Sequence, residues 1–255
     1  MTEDRAGTER ARTAIGGRRA VTEAIRSRDA TEVFVARGAH ETQGLRTVLE
    51  AASVAGVPVH TVDRRELDRL ADDHQGVVAR TRRAEHPHDL GERDLAAFPF
   101  ADDALVVVLD GIGDPQNLGA AARSAEAAGA AMLVSRTRRA AQPTAAAIRA
   151  SAGALLHLPH ARVANIARAL DRLKDVGFTV VGLDGEAPIT IYDEPCPTGK
   201  VVLVLGSEGE GMARLTRERC DVLVALPMRG RVDSLNASAS LAAALFAYVL
   251  PTRRD

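Results

Sequence analysis

Residues 226–240 join an apolar strand, 222–226, to an apolar helix, 241–250, through a polar stretch. That stretch carries Ser234, Asn236 and Ser238 at alternate positions, with Arg229 and Arg231 just upstream. A strand end that turns into a helix N-terminus gathers unpaired backbone N–H groups, and open α/β sheets place ligands there. Two readings stand: Ser234 or Asn236 caps the helix, or these hydroxyl and amide groups hold a ligand. A second segment, Val201-Val-Leu-Val-Leu-Gly-Ser-Glu-Gly-Glu-Gly-Met212, runs from a strand into a loop with Gly206, Gly209 and Gly211. Glycine loops after strands can cradle phosphates, but the spacing is not GxGxxG. Glu208 and Glu210 inside the loop would also repel a pyrophosphate. A tight turn at positive φ explains the glycines and leaves the paired glutamates unexplained. In a third segment, Asp110-Gly-Ile-Gly-Asp-Pro-Gln-Asn117 enters an alanine-rich helix that contains the lone Arg123. Asn117 reads as an N-cap or a pocket residue. Arg123 reads as a snorkelling surface residue, or as a functional group whose small neighbours let a ligand approach.

These segments need a scaffold that brings strand ends together. From residue 104 onward, strands at 105–109, 131–134, 178–183, 201–205 and 222–226 alternate with helices at 118–128, 145–152, 166–176, 213–219 and 241–250. Nearly continuous apolar strands separated by helices imply a parallel sheet covered on both faces. Ahead of it, residues 13–83 read as a smaller α/β domain: helix 19–26, strand 32–36, helix 45–55, strand 57–62, helix 65–70 and strand 76–81. Val57-Pro-Val-His-Thr-Val alternates with period two, and Gly56 closes the preceding helix. Residues 84–103, with Pro87, Gly91 and Pro99, read as a linker, and residues 1–12 as a disordered tail.

The 255 residues suit one large or two modest domains, and an apolar share of 46% is ample for packed cores. Cys196 and Cys220 form no CxxC and have no histidine pair nearby. Neither a disulfide framework nor a metal site is expected, which fits a reducing cytosol. The charged N-terminus lacks the apolar core of a signal peptide, and the longest apolar run is too short to span a bilayer, so a cytoplasmic protein is expected. The net charge of −1 does not announce a nucleic-acid binder. Arginines nonetheless cluster at Arg80, Arg82 and Arg83, at Arg136, Arg138 and Arg139, and at Arg229 with Arg231. Each cluster suits phosphate forks, or is a solvated loop. An aromatic share of 3% argues against stacking platforms.

Together and in order, the three motifs resemble those of the SpoU-type (TrmH-type) RNA ribose 2′-O-methyltransferases. Gly16-Gly-Arg-Arg-Ala-Val-Thr-Glu-Ala-Ile25 and His74-Gln-Gly-Val-Val-Ala-Arg80 resemble the small RNA-binding domain of one subgroup. Members of that subgroup methylate a guanosine ribose of bacterial 23S rRNA. The resemblance spans residues 13 to 250. It implies S-adenosyl-L-methionine as cofactor, 23S rRNA as substrate, no metal, and a homodimer formed through the C-terminal domain. It also implies a deep trefoil knot there, where chain physics alone would favour an unknotted crossover fold. A sulfonium cofactor has no phosphate, so Glu208 and Glu210 are tolerable beside it.

Matched residue by residue, the resemblance makes Arg123 catalytic. Asn117, Glu208, Ser234 and Asn236 would shape the pocket and hold the ribose, while Gly206, Leu226 and Leu235 would line the cofactor. It gives Arg123 the role of base toward the 2′-hydroxyl. Guanidinium is effectively always protonated, so a second version stands beside it: Arg123 clamps the hydroxyl and a phosphate, whose oxygen takes the proton. His74 belongs to the match and is expected at the RNA, whereas His157 and His160 read as structural or surface residues. One departure is Leu156, where the subgroup often carries a glutamate. Alternatives are a methyltransferase of tRNA or another rRNA loop, including an antibiotic-resistance type, and a non-catalytic RNA-binding assembly factor.

Overall fold

A computed structural model describes residues 13–71, 74–81, 89–231 and 234–253. The expected tail, Arg82, Arg83 and the start of the expected linker lie outside the described residues. The first unit comprises β1 (Thr13–Gly16), α1 (Arg18–Arg26), β2 (Ala30–Ala36), α2 (Gln43–Ala55), β3 (Val59–Val62), α3 (Arg64–Leu70) and β4 (Val77–Thr81). Its sheet runs β1-β4-β2-β3; β4 is antiparallel to both neighbours, and β2 and β3 are parallel. Alternation along β2 sorts the core: Val33 and Val35 join the residues of α1 and α2, while Phe34 and Ala36 join Leu67 of α3. Thr42 caps α2 by accepting from Leu45 N, and Gly56 ends it at φ +67, a conformation that favours glycine.

Three expectations for this unit change. β1 went unread, because four residues are too few to display a period. The alternation in β3 promised a buried face, but β3 is an edge strand and its residues are largely exposed. His74 is buried, not at a surface that RNA reaches. Its Nδ1 accepts from Gly76 N at 2.9 Å and its Nε2 lies 2.9 Å from Asp68 Oδ1, so the ring fixes the loop before β4. Arg80 likewise pairs with Glu32 at 3.2 Å and stacks over Phe34.

The second unit comprises β5 (Asp89–Leu90), β6 (Leu105–Asp110), α4 (Pro115–Ala127), β7 (Met132–Arg136), α5 (Ala145–Ala150), β8 (His160–Val163), α6 (Ile166–Asp175), β9 (Thr179–Leu183), β10 (Val201–Gly206), α7 (Arg214–Glu218), β11 (Val222–Val224) and α8 (Ala237–Ala244). The strands form one sheet, β11-β9-β10-β6-β7-β8-β5, with every pairing parallel. Leu105, Val107 and Leu109 pack on the face that carries α4, α5 and α8. Val106 and Val108 pack on the face that carries α6. Burial on both faces is why the strands read as unbroken apolar runs.

β8 and β5 were missed: β8 carries His160 and Arg162, so its composition hid a strand whose neighbours cover it. His160 is buried 2.8 Å from Ser135 Oγ. Residues 89–100 are not a free linker. β5 pairs with β8, Leu95 is fully buried, and Glu92 receives Arg168 Nη2 at 2.7 Å. Phe100 packs edge-on against Phe178. The segment from 241 onward is α-helical only as far as Ala244. It continues as a wider turn, Leu245–Val249, and a tight one, Leu250–Arg253. Leu241, Leu245, Tyr248 and Val249 are buried and Phe246 is half exposed. Arg253 ties the chain end to the backbone carbonyls of Asp103, Ala104 and Gly199.

The buried cluster on the α4 side continues without a break into the α1 and α2 side of the small unit. Leu156 is part of it and is 2% exposed. The departure noted at this position is therefore a packing residue. Among the described residues no helix is long and apolar enough to cross a membrane.

Candidate active site

Parallel register sets the last residue of β6, Asp110, beside the last residue of β10, Gly206. Both loops that follow therefore leave the sheet at one edge. Gly206 has no room for a side chain, since a Cβ there would overlap the backbone of Gly211 and Met212. The chain folds back on itself: Ser207 N and Gly211 N each donate to the other residue's carbonyl at 3.0 Å. Gly209 turns the hairpin at φ +82. Asp110 is buried and receives Ala213 N at 2.9 Å. Its other oxygen lies 2.6 Å from Arg136, an ion pair rather than an aligned hydrogen bond. A buried carboxylate thus anchors the far end of the Gly206 loop.

The hairpin presents Glu208 to two other segments. Glu208 Oε1 accepts from Asn236 Nδ2 at 2.7 Å, Ala237 N at 3.1 Å and Asn117 Nδ2 at 3.3 Å. Asn236 Nδ2 also donates to Asn117 Oδ1 at 2.9 Å. The capping expectations divide here. Asn236 does cap α8, its Oδ1 accepting from Ser238 N and Ala239 N. Asn117 caps nothing: Asp114, followed by Pro115, caps α4 and leaves the Asn117 amide to Glu208. Asn236 therefore serves the helix with its oxygen and the junction with its nitrogen, so both readings of this residue hold.

Beside the junction lies a cavity of about 800 Å³, within the range of cofactor pockets. Gly206, Glu208, Leu226, Ser234 and Leu235 line it, as do Leu183, Leu205 and Met228. The loop after β9 supplies a wall that sequence reading missed, with Asp184, Glu186 and Thr190. Its available signal was Asp184-Gly185 at the end of an apolar strand. Burial alone would raise the Asp184 carboxyl, but the Arg217 ion pair and the Glu186 N–H hold it below its usual value. Asp184, Glu186, Glu208 and Glu210 face a single arginine, Arg217, so the lining is acidic.

Ser238, the third polar residue of the 226–240 stretch, donates its Oγ to Asn236 Oδ1 at 2.6 Å. Arg123 stands apart. It is exposed on α4, six residues or about 9 Å along the axis from Asn117, and is not among the cavity's lining. Among the described residues it has no hydrogen bond or ion pair. No three His, Cys, Asp or Glu side chains among the described residues gather as a metal site.

Comparison with known proteins assigns the chain to a family. Residues 104–248 match the family model described as the SpoU rRNA methylase family, and residues 14–87 match RNA 2′-O ribose methyltransferase substrate binding. The chain belongs to the SpoU rRNA methylase family. It is 43% identical over 222 residues to the 23S rRNA (guanosine-2′-O-)-methyltransferase RlmB of Haemophilus influenzae, covering 86% of this chain and 88% of that protein. A solved RNA 2′-O ribose methyltransferase superposes with a TM-score of 0.79 at 27% identity, over 95% of this chain and 89% of that one. The SpoU methyltransferase AviRb of Streptomyces viridochromogenes, in complex with AdoMet, does so with a TM-score of 0.74 at 25% identity, over 93% and 89%.

Proposed function

We infer that this protein transfers a methyl group from S-adenosyl-L-methionine to a ribose 2′-hydroxyl of RNA, the substrate being a guanosine of 23S rRNA. The observation that carries the transferase reading is the Asn117–Glu208–Asn236 junction at the rim of the cavity. Two other chain segments converge on one carboxylate oxygen of Glu208, and a non-catalytic RNA-binding descendant would have no need to keep them wired. The guanosine target rests on likeness to the Haemophilus enzyme.

The cavity fits the cofactor. Apolar side chains and the backbone edges of Gly206, Leu226 and Leu235 suit an adenosine, and the acidic lining suits a cation while rejecting phosphates. When bound, S-adenosyl-L-methionine supplies an electrophilic methyl group. Glu208, held by its three donors, fixes the hairpin that lines the cavity, and Ser234 with Asn117 and Asn236 would orient the ribose. Arg123 reaches the RNA from outside the cavity of its own subunit. There it clamps the 2′-hydroxyl and a neighbouring phosphate, and the phosphate oxygen takes the proton. Alignment supplies most of the rate.

The remaining parts of the reading follow the resemblance. The apolar segment 241–250, with its half-exposed Phe246, forms a homodimer contact through the C-terminal domain, in which the chain is knotted. Residues 13–83 select the RNA, residues 104–255 perform the chemistry, and the enzyme works in the cytoplasm.

The test is transfer of labelled methyl from S-adenosyl-L-methionine to a 23S rRNA transcript, followed by nuclease digestion. Label recovered as 2′-O-methylguanosine is the expected result. Label on a base, or on no nucleotide, sinks the reading.

A further inference from the structure

A second concave region lies at the seam of the two units. It is a cleft of about 400 Å³ lined by Arg18, Arg19, Thr22, Glu23 and Arg26 of α1, by Gly44 and Thr47 of α2, and by Ala152 of the large unit. We propose that this cleft is a phosphate-binding site, and that it takes a backbone phosphate of the RNA substrate where the small domain meets the methyltransferase domain. The proposal rests on the RNA-methylating function inferred above and gives that function a second, separate point of contact.

Charge is the first support. Three arginines line the cleft against one carboxylate, and that carboxylate is already engaged. Glu23 holds Arg26 at 2.9 Å and His157 of the large unit at 3.0 Å. Arg19 is exposed and has no hydrogen bond or ion pair among the described residues.

Backbone is the second support. The N-termini of α1 and α2 both open here: Arg18 is the first residue of α1, and its Nη1 donates at 2.7 Å to Thr42, the N-cap of α2. α1 has no side-chain cap, and neither helix carries an acid in its first turn, so no carboxylate of its own helix meets either positive end.

The third support is an orphan donor. Arg18 Nε is buried without a hydrogen-bond partner while Nη1 is held by Thr42, so the guanidinium is fixed in place with its charge paired to no carboxylate among the described residues. Gly44 makes this placement possible, because a Cβ there would come within 3.1 Å of Arg18 Cδ. Fixed guanidinium forks of this kind suit phosphate oxygens.

The seam is held together where the anion would sit. A Cβ on Gly153 would run into the Glu23 side chain, so α1 lies directly on the turn after α5. RNA gripped here is gripped by the element that fixes one domain against the other. That grip places the strand at a defined distance from the cofactor cavity.

The experiment uses the full chain with Arg19→Gln, Thr47→Glu and the triple Arg18→Gln/Arg19→Gln/Arg26→Gln variant. Binding of a labelled 23S rRNA fragment is titrated across potassium chloride concentrations, and S-adenosyl-L-methionine affinity is measured by calorimetry as the control for folding. Each lost phosphate contact lowers the slope of log K against log salt by about 0.7 to 0.9. Arg19→Gln is expected to weaken RNA binding by about 5-fold at low salt and flatten the slope by roughly one contact. Thr47→Glu should weaken it comparably, cofactor affinity should hold within about 2-fold, and KM for RNA should rise while kcat stays. Wild-type affinity and slope in Arg19→Gln and Thr47→Glu, both still binding cofactor, overturn the proposal. If inorganic phosphate binds the wild type and is lost in Arg19→Gln, yet RNA affinity is unmoved, the site serves a free anion and the RNA assignment is overturned. A wild type that binds the RNA but transfers no methyl group defeats the proposed activity instead, and the salt slopes still decide the cleft.

Discussion

The two concave regions of this protein are opposite in charge and in construction. The cavity is walled by loops that leave the ends of parallel strands, and acids outnumber arginines along it. The cleft is walled by the length of α1 and the start of α2, and arginines outnumber acids along it. A net charge of −1 therefore conceals a division of labour. One region suits a small cation and repels phosphate; the other suits phosphate. On the function proposed above, separating them would keep a polyanionic substrate from competing for the cofactor's place, while the shared buried cluster joins the two units.

The largest expected effect comes from a residue belonging to neither region. Arg123→Lys keeps the charge and loses the fork, so turnover should fall by about 100-fold or more, the scale of losing a transition-state donor. Cofactor affinity should stay within about 2-fold in calorimetry. Wild-type-like turnover would remove Arg123 from the chemistry and leave the cavity as a binding site only.

Glu208→Gln tests the acidic side. It keeps the size and removes the charge that collects Asn236, Ala237 N and Asn117. Losing a charged acceptor of this kind costs about 1.5 to 3 kcal/mol, so cofactor affinity or turnover should drop by at least about 10-fold. RNA affinity and its salt slope should not move. A change confined to RNA binding would mean that the charge contrast has been misassigned.

Asn236→Ala removes a helix cap as well as a junction donor. A cap is worth about 1 kcal/mol, so thermal unfolding should show a drop of a few degrees in addition to weaker cofactor binding. Full stability with lost binding would show that its capping is dispensable.

The smallest effect is one of pH. Burial pushes the Cys220 thiol, beside the Met212 end of the cavity loop, up to about 12 from an ordinary 9.0. Burial also pushes the Tyr248 hydroxyl up to about 12 from 10.0. Both groups keep their protons longer folded than unfolded. Their contribution is therefore complete below about pH 9 and is lost as pH climbs toward 12. Cys220→Ala with Tyr248→Phe should flatten that alkaline fall in melting temperature; an equally steep fall in the double variant would count against the burial of these two groups.

The cavity was largely legible in the sequence, and the cleft was not. Gly206, Glu208 and Asn236 are short-range signals: a glycine loop after an apolar strand, acids inside it, and a polar stretch ahead of a helix. What the sequence left open was which amide caps. Asp114-Pro115 takes that task from Asn117, and only the fold brings residues 117, 208 and 236 to one oxygen. The Asp184 wall escaped because its role depends on strand order. Strand order also decided the edges. β3 alternates yet is exposed at one edge, while β8 carries His160 and Arg162 yet lies inside the sheet. In the cleft, Arg18 and Arg19 look like part of a domain signature in the sequence, and Gly44 falls just ahead of the expected helix 45–55. Their meeting depends on how α1 lies against α2, which no local pattern encodes. Leu95 looked like linker for the same reason, since its burial depends on the far face of the large sheet.

The most direct test of the central claim is to map 2′-O-methyl groups along 23S rRNA from a strain lacking this protein and from the same strain carrying wild type or Arg123→Lys. The expected result is a single guanosine that loses its methyl group on deletion, regains it with wild type and stays unmethylated with Arg123→Lys. An unchanged methylation map, or a lost mark on a base or on tRNA, would contradict the function inferred from the cavity and its junction.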